Sequence, residues 1–234
     1  MKNALITAAT KGIGRAVATA FAKEGINLAI CARSQNDLDA FKSELLGINP
    51  AVKVVAITTD VSQKDSLLAF AEKAKQELGN IGIIVNNAGI YEPSFILNDT
   101  DDTFERGVNT NLQPAYLLYR FFGKSMIAAG EGHIFNICSV ASLNPIAEAG
   151  TYSVTKYALL GLTKVMRLEM QKHGVKVTAV IPGSTLTDSW KGVEVDKNTM
   201  VLPEDIASAI INTYKMSPGA NVDEIVIKPV GGQI

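Results

Sequence analysis

Thr7-Ala8-Ala9-Thr10-Lys11-Gly12-Ile13-Gly14 follows directly on a short apolar run, Asn3–Thr7, and from Ile13 onward apolar residues recur at helical spacing. A strand-to-helix turn built from two glycines and small or hydroxyl residues lets backbone come close to a pyrophosphate. The helix N-terminus behind it offers unpaired N–H groups and a partial positive charge. The same residues serve equally well as a tight turn between a strand and a helix, so the rest of the chain has to decide.

Working outward, short β-branched runs alternate with longer segments of helical period along nearly the whole chain, the pattern of βαβ units and a parallel sheet. Strands are expected at Asn3–Thr7, Asn27–Ala32, Val52–Ile57, Gly82–Asn86, His133–Cys138, Val175–Ile181 and Glu224–Lys228. Helices are expected at Ile13–Glu24, Gln35–Leu46, Gln63–Leu78, Asp101–Ala129, Thr151–His173 and Pro203–Tyr214. Gly25, Gly79, Gly130 and Gly174 follow four of these, where a helix end favours a residue that tolerates positive φ. Ser62 marks the start of the third helix, and Pro203 with Glu204 and Asp205 suits the first turn of the last. No repeat, low-complexity tract or linker divides the sequence. The expectation is an α/β fold over residues 1–234: one Rossmann-like, doubly wound parallel sheet of about seven strands with helices on both faces. Ligands then belong outside the C-terminal ends of the strands, where the strand order reverses.

The chain has 234 residues, 47% of them hydrophobic, and 22 Lys plus Arg balance 23 Asp plus Glu. A chain of this size builds a core without disulfides or metal, and a net charge of -1 provides no general field for nucleic acid or an anionic membrane. Any anion must be met by a local cluster. Cys31 and Cys138 lie far apart and outside any CxxC spacing, so free thiols in a reducing compartment are expected, with no metal site. No stretch approaches the ~18 uninterrupted apolar residues of a membrane span, and the N-terminal residues carry no apolar signal segment. These features point to a cytoplasmic protein without nucleic-acid or membrane partners.

The second expected strand ends in Ala32-Arg33-Ser34, about 20 residues past the glycine turn, where an acidic residue would bind the adenosine ribose 2′-hydroxyl of NAD. No acid stands there. Arg33 and Ser34 occupy the region, and Lys11 in the first turn approaches the same place in this architecture. Two cations suit a 2′-phosphate, which takes a forked guanidinium, and so point to NADP(H). The alternative is that both are ordinary solvated surface charges.

On these residues the chain resembles the short-chain dehydrogenase/reductase family in its single-domain form, from about Asn3 through Asp205. Thr7 to Gly14 is similar to that family's T-G-x-x-x-G-x-G cofactor turn. Ala8 stands in place of the first glycine, which requires negative φ there and room for a methyl. Asp60-Val61 matches the position that holds the adenine. Asn86-Asn87-Ala88-Gly89 matches the N-N-A-G motif, which stabilises the sheet and passes beside the cofactor. Asn111 matches the helical asparagine of the catalytic tetrad, Ser139 its serine, and Tyr152-Ser153-Val154-Thr155-Lys156 its Y-x-x-x-K motif. Pro182-Gly183-Ser184-Thr185-Leu186-Thr187 resembles the segment against the nicotinamide, with Thr185 giving backbone to the carboxamide and Thr187 near the pyrophosphate. The cofactor set implied by turn and resemblance is Thr7, Ala9, Thr10, Lys11, Gly12, Ile13, Gly14, Arg33, Ser34, Asp60, Val61, Asn87, Ala88, Gly89, Tyr152, Lys156, Pro182, Gly183, Thr185 and Thr187.

The residue types explain the spacing. Tyr152 and Lys156, four apart on a helix, project from one face toward one ligand. A phenol is a slow acid–base catalyst near neutrality, and an adjacent ammonium favours its phenolate form. Carbonyl reduction is then expected to take hydride from nicotinamide C4 while Tyr152 protonates the carbonyl oxygen, which Ser139 orients. The resemblance implies that Lys156 grips the nicotinamide ribose and that Asn111 holds a water linking Lys156 to solvent. His133 and His173 are read as structural, and Cys138 as a buried thiol.

A ketone or aldehyde in a fairly open site is the expected substrate, because Asp188–Leu202, which includes Trp190, is too short to enclose a deep pocket. Tyr91, Leu143, Asn144 and Trp190, with Glu92, Pro93 and Pro145, are expected around it. The resemblance is greatest to 3-oxoacyl-(acyl-carrier-protein) reductase-like oxidoreductases. Those enzymes end in aspartate-glycine-glycine, whereas this chain ends Pro229-Val230-Gly231-Gly232-Gln233-Ile234, and the covering segment is poor in basic residues, with Lys191 beside Trp190 and Lys197 further on. Reduction of a carrier-bound 3-oxoacyl group therefore stands as an alternative, and a non-catalytic NADP(H) sensor as another. The resemblance also implies a homodimer or homotetramer paired through the two long helices; Leu117, Leu118, Phe121 and Phe122 suit such a contact or a face packed on the sheet.

Overall fold

The computed structural model describes residues 2–190, 192, 194 and 196–232. Lys191, Gln233 and Ile234 lie outside the described residues. Seven parallel strands form one sheet: β1 (Asn3–Ile6), β2 (Asn27–Ala32), β3 (Val54–Thr58), β4 (Ile83–Asn86), β5 (Gly132–Ile137), β6 (Val175–Pro182) and β7 (Glu224–Ile227). Their order is β3-β2-β1-β4-β5-β6-β7. The chain runs outward from β1 through β2 to β3, then returns to lay β4 on the other side of β1. This reversal puts a crevice between the C-terminal ends of β1 and β4, where such folds take ligands.

The helices are α1 (Gly12–Lys23), α2 (Gln35–Ile48), α3 (Lys64–Leu78), α4 (Thr103–Asn111), α5 (Gln113–Ala129), α6 (Gly150–Met170) and α7 (Pro203–Tyr214). Strands buried on both faces alternate their side chains between two cores. Ala4 and Ile6 of β1 pack with Val17 and Phe21 of α1, Phe41 of α2 and Ile210 of α7. Leu5 between them points the other way, to Phe70 of α3, Leu118 and Phe122 of α5 and Met166 of α6. In α1 the buried Val17, Ala18, Phe21 and Ala22 form a single stripe, which is why that segment is helical against the sheet. Gly25, Gly79, Gly130 and Gly174 all take positive φ behind their helices, as expected. Pro203 opens α7, and the Asp205 carboxylate accepts the Leu202 N–H at 2.9 Å.

Three expectations are corrected. The single helix over 101–129 is two helices meeting at Leu112. Pro114 has no N–H to give the Thr110 carbonyl, so the ladder cannot run through. Ser62 does not start α3: Gln63 stands at the N-cap, and the Ser62 hydroxyl donates to Asp60 Oδ1 at 2.7 Å. Leu118 and Phe122 are fully buried on the sheet, so they are core and not contact residues.

Candidate active site

The glycine turn and the N-N-A-G segment interlock at the reversal point. Thr7 is fully buried, and its hydroxyl oxygen accepts the N–H of Asn87 and of Ala88, each at 3.0 Å. The Asn87 amide donates back to the carbonyls of Thr7 and Ala8 at 3.0 and 3.1 Å. A side chain on Gly14 would stand 2.5 Å from Asn87 Nδ2 and 2.6 Å from the Ala8 carbonyl, so only glycine fits. The Ala9 N–H donates to the Cys31 carbonyl at 3.0 Å, pinning the turn to the end of β2. Ala8 overturns one expectation: its φ is +52°, in the left-handed region that glycine occupies without cost. The methyl is tolerated because it packs against the core on the α3 and α5 side.

α1 begins at Gly12 with Lys11 at its N-cap, no side-chain cap and no acidic residue in the first turn. Its first N–H groups, with the positive end of the helix dipole, suit an anion. Across from it, Thr187 Cγ2 lies 3.1 Å from where a Gly12 side chain would begin, so the P-G segment meets the turn here. That segment is held by Gly183 N–H to the Ile227 carbonyl at 2.7 Å and Leu186 N–H to the Val201 carbonyl at 2.8 Å. The Thr185 hydroxyl donates to the Gly183 carbonyl at 2.8 Å.

Arg33 is exposed just past β2. Ser34 caps α2, its hydroxyl oxygen accepting the Asp37 N–H at 3.2 Å. Lys11 pairs with Asp188, Nζ to Oδ2 3.5 Å, with the two side chains 63% and 67% exposed. Asp60 is set by its own turn, Oδ1 accepting Ser62 N–H at 3.0 Å, with Val61 buried behind it.

The proposed reacting groups stand on the β4 and β5 side. Lys156 is only 4% exposed and donates from Nζ to the Ile137 carbonyl at 2.9 Å, while the same Nζ lies 5.7 Å from the Tyr152 ring centre. Ser139 sits just past β5, where its oxygen accepts the Ala141 N–H at 3.1 Å. Asn111 ends α4: its Oδ1 accepts the Ile90 N–H at 2.7 Å, and Nδ2 donates to the Ile90 carbonyl at 3.1 Å and to Thr155 Oγ1 at 3.0 Å. A side chain on Gly89 would stand 3.4 Å from both Asn111 Oδ1 and Lys156 Nζ. Burial pushes the Cys138 thiol, beside Ser139, up to about 11 and the Cys31 thiol up to about 12, so both stay protonated and unreactive.

Among the expected substrate residues, the Tyr91 ring meets the Tyr152 ring edge-on with centres 5.0 Å apart. Burial raises the Tyr91 phenol above its ordinary value, with Tyr152 and Glu148 adding to the shift. Glu92 turns to Arg106 at 3.1 Å. The Leu143 carbonyl accepts the Tyr157 hydroxyl, Asn144 is exposed, and Trp190 is half-buried with its N–H on the Thr187 carbonyl at 3.1 Å. Pro145 faces elsewhere, into an apolar groove of about 460 Å³ with Phe95, Ile96 and Tyr157. That groove holds none of the four proposed reacting residues. No three His, Cys, Asp or Glu side chains converge as metal ligands among the described residues, and no described helix is long and apolar enough to cross a membrane.

The sequence pattern of the short chain dehydrogenases matches residues 2–198. The chain belongs to the short-chain dehydrogenase family. Sepiapterin reductase of Chlorobaculum tepidum is 31% identical over 238 residues, covering 98% of this chain and 97% of that protein. Glycine betaine reductase ATRR of Emericella nidulans is 33% identical over 239 residues, 97% of this chain, which spans only 19% of that longer protein. An alcohol dehydrogenase of the archaeon Thermococcus sibiricus, solved with 5-hydroxy-NADP, superposes with a TM-score of 0.91 at 28% identity, over 100% of this chain and 99% of that one.

Two residues of this short-chain dehydrogenase site escaped the sequence reading. Asp188 is the partner of Lys11, and nothing in its spacing marks it. Thr155 lies inside the Y-x-x-x-K motif, three residues after Tyr152, and a hydroxyl one helical turn from a reacting group was its only signal.

Proposed function

We propose that this short-chain dehydrogenase is an NADPH-dependent reductase of a ketone or aldehyde, running in either direction. The observation that carries the reading is Lys156, with Tyr152 on the same face of α6, reaching the N-N-A-G segment at Gly89 beside Asn111 of α4, with Ser139 just past the end of β5. The uncapped α1 N-terminus facing Thr187 fits a pyrophosphate, and Arg33, where an acid would serve a ribose 2′-hydroxyl, fits a 2′-phosphate. The backbone of Ala9 to Gly14 would hold the pyrophosphate, with Thr7, Asn87, Ala88 and Gly89 shaping the floor. Asp60 and Val61 would hold the adenine, and Pro182, Gly183, Thr185 and Thr187 the nicotinamide end. Ser34, whose oxygen accepts the Asp37 N–H and keeps its own proton, would donate to the 2′-phosphate.

NADPH, when bound, supplies the hydride that goes to the carbonyl carbon. Tyr152 donates its hydroxyl proton to the carbonyl oxygen. Ser139 accepts the Ala141 N–H and so keeps its own proton to donate to that oxygen, fixing its direction and stabilising charge as it develops. Lys156 spends one N–H on the Ile137 carbonyl and holds the other two for ribose hydroxyls. Gly89 leaves Asn111 Oδ1 and Lys156 Nζ reachable by a single water, the link through which the lysine exchanges protons with solvent. Tyr91, Leu143, Asn144 and Trp190 surround the substrate. The chain assembles as a homodimer or homotetramer through the outer face of α6, where Val154, Tyr157, Val165 and Leu168 are exposed.

Fluorescence titration with NADPH and NADH, then loss of NADPH absorbance with a panel such as ethyl acetoacetate and benzaldehyde, tests this reading. Turnover is expected, and Tyr152→Phe should lower kcat by about 100-fold or more while NADPH still binds. Full activity in that variant would remove Tyr152 as proton donor, and binding without turnover of any carbonyl would favour a sensor. Arg33→Glu should weaken NADPH by up to ~3 kcal/mol and NADH far less. Equal losses for the two cofactors would return Arg33 to the ordinary surface.

A further inference from the structure

We propose that Thr155 is a positioning residue that fixes the orientation of the Asn111 carboxamide and ties it to the turn of α6 that carries Tyr152; the inference rests on the catalytic use of those two residues proposed above. The Thr155 side chain is completely buried, and its Oγ1 lies 2.7 Å from the Tyr152 carbonyl and 3.0 Å from Asn111 Nδ2. A carbonyl only accepts, so the single hydroxyl proton goes to Tyr152 and the oxygen receives an N–H from Asn111. Together with the Ile90 backbone, which presents one N–H and one carbonyl to the carboxamide, this holds one end apart from the other. Nδ2 must face Thr155, and its second proton goes to the Ile90 carbonyl. Oδ1 is then turned to the Ile90 N–H, 2.7 Å away, and lies in reach of the place beside Gly89 that Lys156 Nζ also reaches. Flipping the amide would bring Oδ1 against the Ile90 carbonyl and Nδ2 against an N–H, two like contacts in a buried place.

Thr155 therefore links two elements that the sequence places far apart. α4 stops at Asn111 because the helix breaks at Leu112, and α6 packs directly against it. The Thr155 methyl plays a separate part: it packs on Gly107 of α4, where an added side chain would come within 3.2 Å. Hydroxyl and methyl can be separated by substitution. Thr155→Ser keeps the hydroxyl and loses the methyl, Thr155→Ala loses both, and Thr155→Val keeps the shape and loses the hydroxyl.

The direct readout is the exchange rate of the Asn111 side-chain amide protons by ¹⁵N NMR, assigned by their absence in Asn111→Asp. Thr155→Ser is expected to keep wild-type exchange, and Thr155→Ala to speed it by about tenfold or more as one N–H loses its buried partner. With NADPH and the carbonyl compound turned over in the panel above, kcat should fall about tenfold in Thr155→Ala and Thr155→Val. KM and NADPH affinity should stay within about twofold, and Thr155→Ser should remain close to wild type. Should Thr155→Val fail to fold, the serine and alanine variants still differ only in the hydroxyl. Unchanged exchange in Thr155→Ala would overturn the proposal, as would a serine variant as impaired as alanine, since then the methyl alone matters. Slowed turnover in Thr155→Ala alongside a fully active Tyr152→Phe would instead sink the proposed reaction and leave the amide orientation standing.

Discussion

Ala8 holds a side chain in a backbone conformation that glycine adopts freely, with φ at +52° in the turn that faces the cofactor groove. The left-handed region costs an L-residue roughly 1–2 kcal/mol, and glycine gives part of that back through its looser unfolded chain. Ala8→Gly is therefore expected to raise stability by up to ~1 kcal/mol, read as a higher urea midpoint with unchanged slope. Ala8→Val should lower it by more than ~1 kcal/mol, since a β-branched residue is a true outlier there. A lower midpoint for the glycine variant would mean that the buried methyl outweighs the strain. At this scale the sequence was legible where spacing alone sets direction, as for Tyr152 and Lys156 on one helix face. It was silent on Ala8, because φ at one residue depends on what the turn must reach.

Among elements, the glycine turn and β4 are held together by Thr7, Asn87 and the absent side chain of Gly14. Gly14→Ala would push a carbon to within 2.6 Å of the Ala8 carbonyl and closer still to Asn87 Nδ2. Overpacking of this kind costs typically ~1–3 kcal/mol. The variant is expected to lose stability by that amount and NADPH binding with it, measured by thermal unfolding and fluorescence titration; wild-type NADPH affinity at reduced stability would show that the turn shifts without opening. The apolar period over 101–129 reads as one helix because the same face stays buried on both sides of Leu112. The break is legible only in hindsight, from Pro114, and it leaves Asn111 at a helix end, where its carboxamide meets Ile90 and Thr155.

At the scale of the whole molecule, the sheet buries a histidine that takes no part in the site. His133 Nε2 lies 2.8 Å from Thr178 Oγ1, whose own proton goes to the Val222 carbonyl, so Nε2 carries the hydrogen and the ring is neutral. Nδ1 has no partner among the described residues, and the ring stacks on Phe135 at 3.9 Å. Burial, with Lys176 nearby, pushes its pKa down from 6.5 to about 3. The unfolded chain then binds one more proton than the folded one between those values. Stability is fully present above about pH 6.5 and falls as pH drops toward 3, by up to ~1.4 kcal/mol per pH unit. Between pH 6.5 and 5, above the range of most carboxylates, urea midpoints should fall for the wild type and much less for His133→Asn. Parallel losses in both proteins would assign the acid sensitivity elsewhere.

Order and period of the apolar runs and the glycine turn determined the doubly wound fold and the end of the sheet that takes a ligand, and the Y-x-x-x-K spacing set Tyr152 and Lys156 on one helix face. These are properties of chain order and of fixed helix and strand repeats, and a sequence displays them. The near-zero net charge was equally plain, and it left any anion site to a local arrangement. Tertiary structure alone decided that Lys11 meets Asp188, that Thr155 holds Asn111, that Leu118 and Phe122 are core, and that Ala8 takes positive φ. Each of these depends on which side chains from distant elements occupy the same few ångströms, and local periodicity carries no information about that.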